Sequence, residues 1–175
     1  MIISVDELLE ISEFDGKSEK VLQKKLNAVE QLIRSYTNNN FQNRYVRFQA
    51  RSLGDKVFGT SPFLKTGDTI QISQSKVNDG LYVITEISDA HISLDTELFE
   101  VPLNLITKVE YPDDVKNGVL ELMIWEAKNR QKVGIKSETL SRHSVTYYDQ
   151  DASNQVMGYP VTLLGFLKPY MKARF

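Results

Sequence analysis

Apolar and polar residues follow two different periods along this chain, and the period changes twice. In residues 1–44 the spacing is helical. Leu22, Leu26, Val29, Ile33 and Tyr36 recur at steps of three and four, backed by Val21 and Leu32, while Lys24, Lys25, Glu30 and Arg34 fall largely outside the stripe. Ser4 and Glu7 have capping-box spacing ahead of a shorter helix through Leu8, Leu9 and Ile11, which should end near Asp15-Gly16. Ser18 is the expected N-cap of the long helix. Asn38-Asn39-Asn40 should end it, because asparagine tolerates the left-handed backbone.

From about Tyr45 to Tyr111 the period drops to two. Val46, Phe48 and Ala50 alternate with Arg47, Gln49 and Arg51, and Ile70 and Ile72 alternate with Thr69, Gln71 and Ser73. Leu81, Val83, Thr85 and Ile87 should share one side of a strand opposite Tyr82, Ile84 and Glu86. Gly67-Asp68, Asn78-Asp79-Gly80 and Ser88-Asp89 separate the runs with turn chemistry. Five or so short strands predict a small antiparallel barrel or sandwich over residues 45–110, inserted into a helical protein.

The helical period returns at Asp113, after Pro112 biases Tyr111 towards extended geometry. Asp113 or Asp114 is the expected cap. Val119, Leu120, Met123, Ile124 and Ala127 should line one face, and Arg130, Lys132 and Gly134 suit the C-terminal end. A β-prone arm follows at about residues 135–158. Pro160 suits the first turn of a last helix, which Lys168-Pro169 should break or kink. The expected fold class is therefore α+β. A small helical bundle core, residues 1–44 and 111–175, carries an inserted β-domain and an extended β-prone arm.

Composition narrows the function. The 41% hydrophobic and 25% charged content argues for a globular chain and against global disorder. No apolar run approaches the roughly 20 residues that span a bilayer, and the first residues lack the pattern of a secretory signal. Cysteine is absent, which excludes disulfides, thiolate catalysis and cysteine-ligated zinc, and suits a reducing cytoplasm. The formal net charge of −2 is not that of a dedicated DNA binder, whose affinity comes largely from neutralised phosphates.

Each candidate chemistry lacks a required part. Gly54 and Gly59 have the glycine spacing of a phosphate-binding loop, but Thr60 stands where the lysine is needed, and no helix is expected to follow. His91 and His143 are the only histidines and have no ligand spacing. Asp149 and Asp151 resemble the start of a calcium loop without its glycine and closing glutamate, and capping explains Asp113-Asp114 better than a metal does. Arg44, Tyr45, Arg47, Phe48 and Arg51 raise a single-strand nucleic-acid reading. Phe48 shares parity with Val46 and Ala50, however, which assigns it to the core. No enzyme, cofactor or metal is expected. Trp125 either completes its helix's core or anchors a subunit interface, and the aromatic tail with Tyr170 and Phe175 has the same two readings.

The helix Val21–Glu30 ending at Tyr36–Phe41, the helix Val115–Arg130, Lys136-Ser137-Glu138-Thr139-Leu140, Ser144–Tyr147 and the closing Tyr159-Pro160-Val161 with Leu163–Tyr170 resemble, in order, the tailed-phage head–tail connector (head-completion adaptor) family. Gly67–Ile72 and Asn78–Ile84 resemble a β-insertion seen in some members. Ser141 stands where the family often has glycine. The resemblance implies a ring below the portal, a dodecamer by family pattern, which extends the DNA channel and docks the next tail-side stopper or adaptor protein. It implies partners in the portal and tail-side proteins, DNA passing without sequence-specific binding, no membrane, and a place at the virion's head–tail interface after assembly in the host cytoplasm. A closed ring needs two different complementary surfaces on each subunit, and strand addition by an extended arm supplies one. The expected interface arm contains Lys136, Ser137, Glu138, Leu140, Val145, Tyr147 and Tyr148. The alternative expectation is a small β-barrel binding module for nucleic acid or peptide.

Overall fold

In the computed structural model, residues 2–130, 137–140, 143–146, 155–156 and 158–173 are described, with the strands between 137 and 146 described by backbone alone. The fold is mixed α+β with an antiparallel sheet. Two compact units form, one from residues 39–111 and one from residues 2–38 with 112–175.

The second unit is helical. Helix α1 (Val5–Leu9) starts with the expected reciprocal cap: Glu7 N–H donates to Ser4 Oγ at 3.1 Å and Ser4 N–H donates to Glu7 Oε2 at 2.6 Å. It stops at Leu9, well short of the expected end near Asp15-Gly16, because Ile11 is extended and Ser12–Phe14 forms a separate 3₁₀ turn. Helix α2 (Glu19–Thr37) buries Leu22, Leu26, Val29 and Ile33. Each such side chain contributes about 1.5–3 kcal/mol relative to exposure. Val21 is 50% exposed and lies outside the stripe it was expected to back. Ser18 occupies the N-cap position with no side-chain capping bond. Asn38 ends α2 in the left-handed region at φ 50°. The chain's far end then covers the open carbonyls: Lys172 N–H donates to Thr37 O, and Asn38 Nδ2 donates to Ala173 O, both at 2.8 Å.

Helix α3 (Asp113–Asn129) has Pro112 at its N-cap, so neither aspartate takes that position. Its buried face is Val115, Gly118, Val119, Leu122 and Met123. That face is rotated from the expected one, leaving Leu120, Ile124 and Ala127 half-buried. The last element is a 3₁₀ segment, Val161–Tyr170, with Pro169 inside it, where the sequence predicts a broken helix. Leu164 and Leu167 are buried, and their spacing of three matches three residues per 3₁₀ turn. This segment packs on both α2 and α3. The unit is thus two long helices joined through a 3₁₀ segment, in place of the expected small bundle.

Gly118 makes that joint possible. A Cβ built there would lie 2.5 Å from the Phe166 ring. Alanine in a helix interior ordinarily gains about 1 kcal/mol over glycine. We expect Gly118→Ala to lower the melting temperature all the same, and Phe166→Leu in the same chain to recover part of the loss. A melting temperature at or above that of the parent in the single variant would refute the close approach.

The first unit is one four-stranded antiparallel sheet: β1 (Gln42–Phe58), β2 (Thr69–Ser73), β3 (Gly80–Ile87) and β4 (Ile92–Val109), in the order β1-β4-β2-β3. The C-terminal part of β4 pairs with β2 (Thr69↔Val109, Ser73↔Leu105), and its N-terminal part pairs with β3 (Ile84↔Leu94, Ile87↔Ile92). One four-stranded sheet, in which β4 is shared by β1, β2 and β3, stands where the sequence predicts a small antiparallel barrel or sandwich of five or so short strands. The two long strands were hard to read because their pattern is interrupted by register shifts. One shift is at Gly54, whose φ of +61° favours glycine. Val46, Ala50, Val57, Leu64, Ile70, Ile72, Ile84, Ile92, Leu94, Leu98 and Ile106 form the core, with Phe48, Tyr82 and Ile87 packed against it.

Where β1 and β4 fall out of register, a polar cluster fills the gap. Asn78 Nδ2 donates to Ser52 Oγ at 3.0 Å and to Phe99 O at 2.9 Å, and Phe99 N–H donates to Asn78 Oδ1 at 2.9 Å. Asn104 Nδ2 donates to Ala50 O and Ser52 Oγ, both at 3.1 Å. Its Oδ1 is buried without a hydrogen-bond partner among the described residues. Asn78 therefore ties the β2–β3 loop to β4 as a strand would. Leaving buried partners unmet costs about 1–3 kcal/mol per group. Asn78→Ala should lower unfolding stability by at least about that much, measured by urea denaturation. An unchanged midpoint would show the cluster to be dispensable.

Candidate assembly site

The last turn of α3 holds the chain where it returns to the helical unit. Between them runs the segment containing β5 (Ser137–Leu140) and β6 (His143–Thr146), which pair antiparallel from Ser137↔Thr146 to Leu140↔His143. The return is made by β7 (Gln155–Val156) and β8 (Tyr159–Pro160), paired through Val156↔Tyr159. Gly158 between them has φ +84°, a conformation that L side chains rarely adopt.

Tyr159 is 5% exposed. Its ring packs on Trp125 with centroids 5.7 Å apart, and its hydroxyl donates to Glu126 Oε2 at 2.5 Å. Lys25 Nζ, from α2, lies 2.5 Å from Glu126 Oε1. Arg130 Nη1 donates to Gly158 O at 3.5 Å. Burial opposes ionisation of Glu126, but the hydrogen bonds from Lys25 and Tyr159 and the charges of Lys25 and Arg130 outweigh it, holding the carboxyl below its ordinary value. Burial, and next the bond to Glu126, push the Tyr159 phenol up, so the hydroxyl remains a donor. At the other end of α3, Tyr170 donates to both carboxylate oxygens of Asp114 at 2.8 Å. Lys128 lies 2.5 Å from Glu13, and its hydrogen bond holds that carboxyl low.

The arrangement braces Gly158 and Tyr159 against α3, and its polar groups satisfy one another. Among the expected site residues, Ser137, Glu138 and Leu140 lie in β5 and Val145 in β6, while Lys136, Tyr147, Tyr148 and Phe175 lie outside the described residues. Trp125 is half-buried against Tyr159, and Tyr170 is half-buried over α3. Lys25 and Glu126 were not singled out by sequence. Their only signal is a charged side chain beside each apolar stripe, which most surface helices share.

The other candidate chemistries are explained locally. Gly54 lies within β1, and the chain beyond Gly59 enters a turn, with no helix to receive a phosphate. His91 Nδ1 is 2.8 Å from Ser88 Oγ in the β3–β4 turn. Among the described residues, no three His, Cys, Asp or Glu side chains group as metal ligands. Asp149 and Asp151 lie outside those residues. Arg47 donates to Thr107 and Gln42, and Arg51 pairs with Glu100 at 2.7 Å. Phe48 packs on the core, whereas Tyr45 is 98% exposed beside exposed Arg44. Among the described residues, no helix is long and apolar enough to cross a membrane. No protein-family model matches the chain, and no curated protein matches it.

A carboxyl held low in the fold stabilises above its unfolded value and loses that contribution as pH falls through its folded value. The helical unit should therefore weaken below about pH 4.5, the ordinary value for Glu126. Glu126→Gln should show a smaller loss over that range in melts at successive pH values. Equal acid sensitivity in the two proteins would refute the assignment.

Proposed function

We propose that the protein is a structural head–tail connector. It forms a ring below a phage portal, extends the DNA channel and docks the next tail-side protein. In this reading the helical unit is the connector core, the sheet unit at residues 39–111 is the insertion, and the β5–β6 pair is the arm that joins subunits. The carrying observation is that, among the described residues, β5 and β6 pair only with each other. A lone two-stranded hairpin is marginally stable in water. Addition to a neighbouring chain gives it both a partner and a function. The formal net charge of −2 supports a channel wall that lets DNA pass without gripping it.

Electron microscopy of purified portal mixed with this protein tests the reading. Ring density at the portal base is expected, and its absence counts against the proposal. Deleting residues 136–148 should abolish rings while the circular dichroism of the helical unit persists; rings built by the deletion variant would remove the arm's role. A second reading, the sheet unit as a binding module, draws on Tyr45 standing exposed beside Arg44. Salt-dependent oligonucleotide binding that disappears in Tyr45→Ala would favour it.

A further inference from the structure

Four large apolar side chains stand exposed around the buried polar cluster of the sheet unit: Phe99 at 70%, Val77 at 59%, and Leu53 and Leu103. Val77 precedes Asn78, Leu53 follows Ser52 and Leu103 precedes Asn104, while Phe99 is bonded to the Asn78 amide through both its N–H and its carbonyl. Ser52 and Asn104 are buried, so their strand neighbours point outwards. The bonds among Ser52, Asn78 and Asn104 fix the backbone beneath the four side chains. Exposed apolar side chains grouped in this way mark association surfaces. The rim is acidic. From Asp79 to Thr107 the charged residues are Asp79, Glu86, Asp89, Asp95, Glu97 and Glu100, with no lysine or arginine. Glu100 is taken by Arg51, and Lys76 offsets part of the remainder. Among the described residues, Asp79, Asp95 and Glu97 have no ion partner. Tyr82, whose hydroxyl donates to Asn78 O, has its phenol pushed up by burial and then by Asp95 and Asp79.

Matching chemistry lies at the start of β1. Asn43 and Arg47 pair with the adjacent β4 residues Lys108 and Thr107, so Arg44, Tyr45 and Val46 bulge between them. Val46 turns into the core, whereas Tyr45 is almost wholly exposed beside exposed Arg44. Asn43 braces the bulge: its Oδ1 accepts from Tyr45 N–H at 3.1 Å, and its Nδ2 donates to Glu110 Oε2 at 2.7 Å. Tyrosine and arginine are among the side chains that most often anchor interfaces. We propose that the protein self-associates head to tail, the Arg44–Tyr45 bulge of one copy seated on the Phe99 patch of the next. The tyrosine ring covers apolar side chains, and the guanidinium meets carboxylates that have no ion partner within their own chain's described residues. The ladder keeps the two surfaces apart within a chain, since Arg47 pairs with Thr107 while Phe99 lies beyond Val101, the partner of Ser52. The surfaces differ, so the contact is heterologous and repeats from copy to copy. The inference is independent of the connector reading, because it needs neither a portal nor the β5–β6 hairpin.

The test uses the full chain, which has no cysteine of its own, so introduced cysteines report contacts directly. Tyr45→Cys and Phe99→Cys proteins are oxidised separately and as a mixture. The expected result is a dimer joined from 45 to 99 in the mixture, well above either like-with-like dimer, and a ladder of larger species when one chain carries both substitutions. In sedimentation velocity the parent should associate as its concentration rises and less so in high salt. Tyr45→Ala and Arg44→Glu should each weaken association by about tenfold or more. Both positions are exposed, so their circular dichroism should match the parent's. Predominant 99-to-99 cross-links would make the patch a two-fold contact and overturn the proposal. A parent that stays monomeric, or a Tyr45→Ala variant that associates as the parent does, would overturn it too. Oligonucleotide binding lost in Tyr45→Ala, without a 45-to-99 cross-link, would assign Tyr45 to nucleic acid instead.

Discussion

The pairing of the two ends of the sheet unit is the constraint on which the rest depends. Gln42 pairs with Val109, Glu110 N–H donates to Phe41 O at 2.9 Å, and the Phe41 and Tyr111 rings lie 4.7 Å apart. Both rings are buried. The chain therefore leaves for the sheet and comes back at one place. Without that closure, the two sequence segments of the helical unit would be separated by a long loop whose ends must be brought together at an entropic cost. With it, the sheet serves as a short bridge.

Within the helical unit, α3 plays the corresponding part. Asp114 near its start receives Tyr170, Gly118 gives room to Phe166, and Glu126 in its closing turns receives Tyr159 and Lys25. Apart from Lys25, which lies in α2, each partner belongs to a different portion of the chain after α3. The charged ones differ in weight. Glu126 is largely shielded and bonded twice, so its partners matter. The pair Lys116–Asp113, with Asp113 96% exposed, adds little in comparison.

Local rules were legible wherever one element decided its own structure. The Ser4–Glu7 cap, the apolar stripe from Leu22 to Ile33 and the left-handed stop at Asn38 all follow from neighbours within four residues. The boundary at Pro112 follows in the same way. What the sequence hid depends on distant partners. The face of α3 turns towards the 3₁₀ segment because Gly118 accepts Phe166, and no helical periodicity encodes that meeting. The long strands β1 and β4 looked like several short ones because Gly54 and the polar Ser52 and Asn104 interrupt the alternation where the bulges fall. At the candidate site, the strands at Ser137–Leu140 and His143–Thr146 fall where the residues are β-prone. The Lys25–Glu126 contact was not legible, because a lysine and a glutamate on separate helices carry no mark of their pairing.

The bonds from Lys172 and Asn38 across the end of α2 bear on how the protein is made. A ribosome delivers the chain from its N-terminus, and compact units fold as they emerge. Residues 39–111 are whole once Tyr111 is out. Helix α2 has been made by then, yet the residues that cover its last carbonyls, 172 and 173, follow only after the whole sheet. The sheet's residues are therefore complete on a nascent chain before those that close the end of α2 have been made. Until they are made, the helical unit lacks the residues that cover the last carbonyls of α2.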